Sequence, residues 1–534
     1  MKKLIVLYSI CKADFLERTR RYSFLITMFI TVYVAFYVIP TPDKYGKTLT
    51  LHLGVYRGIY NSAWIGICET LVAVTFLSLF GFYIVKGTIE RDKATGVGQI
   101  IATTPISKFD YMFGKFLSNF IFLSFMAFII GIVALIMQFI RAEDMKINLW
   151  NLYSPFLMIV LPMMALVAAL ALLFENIKFL RGGFGNIVYF FLWTGFIVTS
   201  IAVKGKSNVF IGAFSDICGV NIAGSSFKKA LSGFSDYNGD LVIGTSPELA
   251  NKALKVFHYN GINWTSEYII EKIILILFAV ILVFVASLLF KRFDSYVEKV
   301  TKIKKASRTE KEKGYDKKSF IAIPASKLTR PNHKYSFINV LKNELKLMLK
   351  GIKWWGYIVV LGVIIASVAS RGNDANKIIL SISMILPILI WSKMGTMENR
   401  FGTNQLVFTC ENIIKAQFLA VYLSGVVVAV LINSGFFIKF VVTGNFSGVL
   451  CLISACVFVP AMAFALGSVT GGSKIFEVIY LLMWYMEPLN DMPYLDYIGV
   501  TKYAVNLGIP YVYGAVGILL LGVALIARKR RMVI

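Results

Sequence analysis

Residues 273–290 read IILILFAVILVFVASLLF, eighteen consecutive positions without a charged side chain. A helix rises about 1.5 Å per residue, so this run and its flanks reach across a hydrocarbon core about 30 Å thick. Only a helix satisfies every backbone N–H and C=O inside such a segment, and the run lacks the alternation of a membrane β-barrel strand. Charges stand at once on either side, Lys272 before it and Lys291-Arg292 after it. FLITMFITVYVAFYVI (24–39) has the same character. The whole chain agrees: 57% of its 534 residues are hydrophobic and 16% charged, against roughly 25% charged in ordinary globular domains. The mean hydropathy is +0.71. The fold class predicted is an all-α polytopic membrane protein.

The pattern predicts about twelve transmembrane helices, near 23–40, 64–86, 116–140, 154–174, 183–203 and 268–290, then 354–369, 376–394, 416–438, 449–467, 475–489 and 511–527. With the N-terminus inside, most of the 55 Lys and Arg fall on segments that alternation places in the cytoplasm. Both termini are then cytoplasmic, and the net charge of +26 is mainly a positive-inside signature rather than a nucleic-acid footprint. The opening segment reads as an amphipathic helix on the membrane rather than a signal sequence, because no small-residue cleavage site follows its short apolar run. Leu4, Leu7, Tyr8, Cys11 and Phe15 share one face, with Lys3, Lys12, Glu17 and Arg18 largely elsewhere. A second amphipathic stretch, with Leu341, Leu345 and Leu349 on one face, precedes the seventh span. Each half therefore runs amphipathic helix, six spans, basic exit: Lys291-Arg292 in the first and Arg528-Lys529-Arg530-Arg531 in the second. Six is even, so the halves are parallel repeats and the chain a fused pseudo-dimer. The domains expected are 1–290, with an external insert at 204–267, a basic cytoplasmic linker at 291–337, and 338–534.

Between the second and third spans of each half the chain writes one polar sentence twice. Residues 87–103 read GTIERDKATGVGQIIAT, and 395–409 read GTMENRFGTNQLVFT. Duplication explains the likeness; a loop docked on a partner explains why this stretch keeps it most clearly. The first copy and its continuation, TPISKFDYMFGK, resemble the loop of ABC-2 type (type V exporter-like) permeases, which commonly carry E-R-E-x-G-T-x-E-x-L-x-x-T-P and a Lys before the third span. Glu90, Arg91, Thr95, Gln99, Thr104, Pro105, Ser107 and Lys115 stand at matching places. Ala94 departs from the usual Gly, and Gln99 from a common acid. The second copy keeps Glu398, Thr403, Gln405 and Thr409 but lacks the Thr-Pro step. DFLERTRRYSFLI (14–26) also resembles that family's entry into its first span.

The resemblance implies the membrane subunit of an ATP-driven exporter in the cell membrane. Its cytoplasmic loops would rest on a separate ABC ATPase, two copies per chain, with ATP and Mg bound there and no cofactor on this chain. The contact residues implied are Glu90, Arg91, Thr95, Gln99, Thr104, Pro105 and Lys108, with Glu398, Thr403 and Gln405 in the second half. Thr104 reads as the cap of a helix starting at Pro105. No G-x-x-x-x-G-K-[ST] is present, so ATP phosphates are not cradled on this chain in that manner. Six scattered cysteines and three histidines suggest neither a disulfide framework nor a zinc site. Glu69 and Lys377, at matching offsets in the second span of each half, form a candidate intramembrane polar site; a transport role and snorkelling to water near the outer end both stay open. Scarce intramembrane charge fits a hydrophobic or amphipathic cargo such as a peptide, lipid or drug. Two rival readings stay open beside the permease: a twelve-helix secondary transporter, and a membrane immunity or scaffold protein that binds a toxin or peptide without transport.

Overall fold

The computed structural model describes residues 2–20, 22–42, 45, 50–202, 208–234, 237, 241–244, 254–293, 336–350, 352, 354–370, 372–403, 407, 417–485 and 493–533. The chain divides into two compact units, Met1–Tyr315 and Asp316–Ile534. It is predominantly helical. Among the described residues seven helices are long and apolar enough to cross a membrane, or nine if each of two bent pairs is one span. Three shorter apolar helices, Thr27–Val38, Gly356–Ala369 and Ala375–Trp391, lie where further spans are expected. The chain is thus a multi-pass membrane protein by the length and composition of its helices.

The first unit opens with α1 (Lys2–Thr19) and α2 (Tyr22–Val38), then β1 (Thr50–His52) and β2 (Tyr56–Gly58). A long helical run follows as α3 (Ser62–Val72), a π-helical turn at Ala73–Leu77 and α4 (Ser78–Val85). The polar loop folds as α5 (Thr88–Ala94) and α6 (Val97–Thr103), and α7 (Lys108–Arg141) leads away from it. Next come α8 (Leu149–Pro155), a second π-helical turn at Phe156–Val160, α9 (Leu161–Asn176) and α10 (Gly183–Ala202). Helix α9 is the core of this unit. Its sequence LPMMALVAALALLFEN is almost wholly buried, and Ala165, Ala168, Ala169 and Ala171 let α4, α7 and α13 (Ser266–Leu289) approach closely.

The expected insert is partly built into the unit. Helices α11 (Val209–Ser215) and α12 (Val220–Ala230) meet at 103°. Strands β3 (Val242–Gly244) and β4 (Lys255–Phe257) pair with β1 and β2, antiparallel and parallel respectively. The insert is thereby stitched to the segment before α3. Trp64 fixes the junction, its ring lying 5.4 Å from Phe227, 5.7 Å from Phe257 and 6.1 Å from Tyr259. The short helix expected from Ser246 lies outside the described residues.

The second unit comprises α14 (Phe337–Leu349), α15 (Trp354–Ala369), α16 (Asn373–Ile385), α17 (Ile388–Trp391) and α18 (Met397–Phe401). It continues through α19 (Leu419–Ile432), α20 (Ser434–Val442), α21 (Phe446–Thr470), α22 (Lys474–Trp484), α23 (Lys502–Asn506) and α24 (Ile509–Val533). The stretches expected as single spans at 376–394 and 416–438 are broken here. Pro387 has no N–H to continue α16, and α19 meets α20 at 59°. Helix α21 packs along α24, where Gly514 and Gly517 face Ser454 and Phe458.

Candidate functional site

The repeated polar loop is the candidate site, and its glycines explain its shape. Gly87 and Gly96 bracket α5 with φ of 103° and 78°, values that side-chain-bearing residues rarely adopt. Gly395 (70°) and Gly402 (64°) bracket α18 in the same way. The two sequence echoes therefore share a left-handed turn, a short helix and a second left-handed turn.

In the first unit the loop is tied to four other elements. Glu175, at the end of α9, accepts from the N–H of Gly87 (2.6 Å) and Thr88 (3.1 Å) through Oε1 and of Ile89 (2.7 Å) through Oε2. The Thr88 hydroxyl also donates to it at 3.2 Å. A carboxylate at a helix start satisfies orphan donors and suits the helix dipole. Asp92 of α5 accepts from the Tyr111 hydroxyl (2.6 Å) and pairs with Lys115 (2.8 Å), both on α7. Lys115 is shared with Asp14 of α1 at 3.0 Å. Arg91 completes the cluster, 2.9 Å from Glu17 and 4.0 Å from Asp14. Beyond α13, Arg292 donates to the carbonyls of Ala102 (3.2 Å) and Thr104 (2.6 Å).

This geometry changes several expectations. Thr104 does not cap a helix beginning at Pro105. Its hydroxyl donates back to Ile101, closing α6, and Ser107 caps α7 by accepting from the Asp110 N–H. Arg292 holds the 102–104 carbonyls, which fixes that stretch as a helix end. Arg91, expected at the contact with an ATPase, is a half-buried partner of α1. Helix α1 buries Cys11 of the expected face but departs from it elsewhere: Asp14 and Arg18 are also buried, Arg18 donating to Asn119, whereas Tyr8 is exposed. Lys115 and Asn119 on α7 draw Asp14 and Arg18 inward, so polar pairing as well as hydrophobicity sets the buried face of the helix.

Of the other residues singled out in the first loop, Glu90, Thr95, Gln99, Pro105 and Lys108 are exposed and Thr104 is half-buried. The outward surface of α6 also carries Val97 and Ile100, the latter 67% exposed. In the second unit Thr403 is half-buried, its N–H donating to the Glu398 carbonyl, while Gln405 and Thr409 lie outside the described residues. Glu69 is fully buried, and neither carboxylate oxygen has a hydrogen-bond partner among the described residues, so snorkelling to water does not describe it. Lys377 is half-buried in the second unit.

The second loop has its own polar knot. Arg528 of α24 bonds both Glu398 of α18 and the Gln417 side-chain carbonyl, at 2.9 Å to the latter. The Gln417 amide donates to Glu344 of α14 at 3.0 Å and more weakly to Glu398 at 3.4 Å. Two carboxylates thus share the Gln417 amide, and the guanidinium pairs with one of them. Burial, and then the neighbouring Glu398 charge, raise the Glu344 carboxyl above its ordinary value, against the opposing pull of Gln417 and Arg528. A raised carboxyl binds more protons folded than unfolded, so its contribution to stability falls as pH climbs from the ordinary carboxylate range through the raised value. Glu344→Gln is expected to flatten the pH dependence of α14 docking over that interval, as read by hydrogen exchange in 337–349; an unchanged pH profile would refute the assignment.

The sequence pattern marks Arg292 and Arg528 only as basic exits, and it gives Glu175, Asp14, Tyr111, Glu344 and Gln417 no role. Only Glu175 carries a signal of its own, a lone acid closing an apolar run. No family model, no curated protein and no solved structure matches this chain.

Proposed function

We propose that this chain is the membrane subunit of an ATP-driven transporter of the ABC-2 type, built from two fused parallel six-span halves, with a separate ATPase seated on the loops 87–107 and 395–409. The observation that carries this reading is the contrast within the first loop. One side is locked to α1, α7, α9 and the residue Arg292, while the other presents Val97, Gln99, Ile100 and Thr103 outward. A returning loop needs only solubility. A loop that transmits force needs rigid attachment behind and an apolar anchor in front, since a few buried hydrophobic or aromatic anchors carry most interface energy. Sparse charge within the apolar helices favours export of a hydrophobic or amphipathic cargo.

The test is purification in mild detergent of the chain expressed with its native genomic neighbours, followed by mass spectrometry. A P-loop ATPase near two copies per chain is expected. Val97→Asp with Ile100→Asp is expected to cut its recovery about tenfold or more, because a charge cannot be buried unpaired at such an anchor. A monodisperse preparation without an ATPase would overturn the reading in favour of an ion-driven secondary transporter.

A further inference from the structure

We propose that α13 is a strut joining the bent hairpin α11–α12 to the polar loop, with Lys272 and Arg292 as the positioning residues at its two ends. The inference deepens the proposed function and rests on it for its purpose: nucleotide-driven motion of the loop would be delivered to the far end of the same unit.

Helix α13 has 24 residues, a length of about 36 Å, so its ends lie on opposite sides of a hydrocarbon core. At its first turns the Lys272 ammonium donates to the Asp216 carbonyl at 2.7 Å, at the bend between α11 and α12. Lys272 is 3% exposed and Asp216 1%. The Asp216 carboxylate in turn accepts from the N–H of Asn221 (3.1 Å) and Ile222 (2.9 Å), so the residue gripped by α13 also starts α12. Glu271 lies against Gly212 of α11, where a Cβ would stand 2.4 Å from its Oε1. Two turns further on, Phe278 meets Phe214 edge-on at 5.0 Å.

The other end is held as firmly. Arg292 bonds two carbonyls of the loop, as described above. Phe290 stacks on Tyr111 at 5.3 Å, and Phe293 meets the same ring at 5.8 Å. That tyrosine is the donor to Asp92, so the strut, the loop helix α5 and the ionic cluster meet at one ring. Lys93 of α5 lies over Phe293 at 5.9 Å. Between its ends α13 packs along α9 and α7 without a break in its helix. The short extended segment from Phe290 to Phe293 that joins the helix to Arg292 is itself held on the Tyr111 ring, so a displacement of the loop is passed to the helix through that contact.

The basic exit after the sixth span thus does more than orient the chain. Arg292 fastens the loop, and in the second unit Arg528, at the matching exit, fastens Glu398.

Coupling between sites is reciprocal in free energy, which gives a test that needs no ATPase and no cargo. Hydrogen exchange would be measured on the full chain in lipid nanodiscs. Arg292→Gln is expected to speed exchange of amides in 97–107 by about tenfold, the scale of a lost charge-assisted hydrogen bond. It is also expected to speed exchange in 209–230 by between about two- and thirtyfold, the span of measured long-range couplings. Lys272→Met should show the reverse, with 209–230 affected directly and 97–107 at a distance. Arg292→Lys, which retains a donor, should restore most protection at both ends. Local change at 97–107 in Arg292→Gln with 209–230 unaltered would overturn the strut. Should Arg292→Gln not fold, Lys272→Met alone decides, through the presence or absence of its distant effect at 97–107. An unaltered distant end would leave ATPase docking untouched, and a missing ATPase would leave the strut untouched.

Discussion

Replacing Glu175 by alanine is expected to unravel the polar loop while sparing the spans that flank it. Three backbone N–H groups and one hydroxyl converge on this carboxylate, which is 2% exposed. Its removal strands donors where solvent reaches poorly, at a cost of about 2–6 kcal/mol if two of them stay unpaired. Glu175→Gln is expected to do less harm but not to rescue, because one amide oxygen replaces two acceptors and the amide nitrogen opposes an N–H. Hydrogen exchange in 87–95 reads the effect directly, and ATPase recovery should fall with it. Protection retained in Glu175→Ala would mean that the left-handed glycines, not the carboxylate, shape α5.

How far this was legible differs by element. The run 273–290 announces its helix because length and apolarity leave one solution in a bilayer. The stretches at 376–394 and 416–438 looked equally continuous, but a proline without an N–H and a bend between Ile432 and Ser434 divide them. The loop is marked in the sequence by its echo, and Gly87, Gly96, Gly395 and Gly402 supply a physical reason for that echo: each φ strongly favours glycine. The roles within it were not legible. Glu90 and Glu398 read alike in sequence, yet Glu90 is exposed while Glu398 is engaged by Arg528. A charge reversal at both positions would therefore probe two different things, a surface in the first unit and an internal pair in the second. Asp14, Tyr111 and Lys115 could not be linked from spacing, because the cluster joins α1, α5 and α7 across about a hundred residues of chain and only tertiary packing brings them together.

Lys115→Met is expected to be the most damaging single change in that cluster, and its partners should suppress the damage. Lys115 is 3% exposed and stands between Asp14 at 3.0 Å and Asp92 at 2.8 Å. Removing the ammonium leaves two buried carboxylates facing each other's field, a loss of about 3–5 kcal/mol by the measure of other broken buried pairs. Arg91, 4.0 Å from Asp14, and the Tyr111 hydroxyl on Asp92 offset part of it. Neutralising the acids as well, in Asp14→Asn with Asp92→Asn and Lys115→Met, removes the uncompensated charge, and the triple variant should be markedly more stable than Lys115→Met alone. Exchange in 2–19 and 88–94 distinguishes the two. If charge balance holds α1 to the loop, the triple variant regains protection at both segments. A triple variant no better than the single one would show instead that shape and hydrogen-bond geometry around the Lys115 side chain fasten α1 to α5.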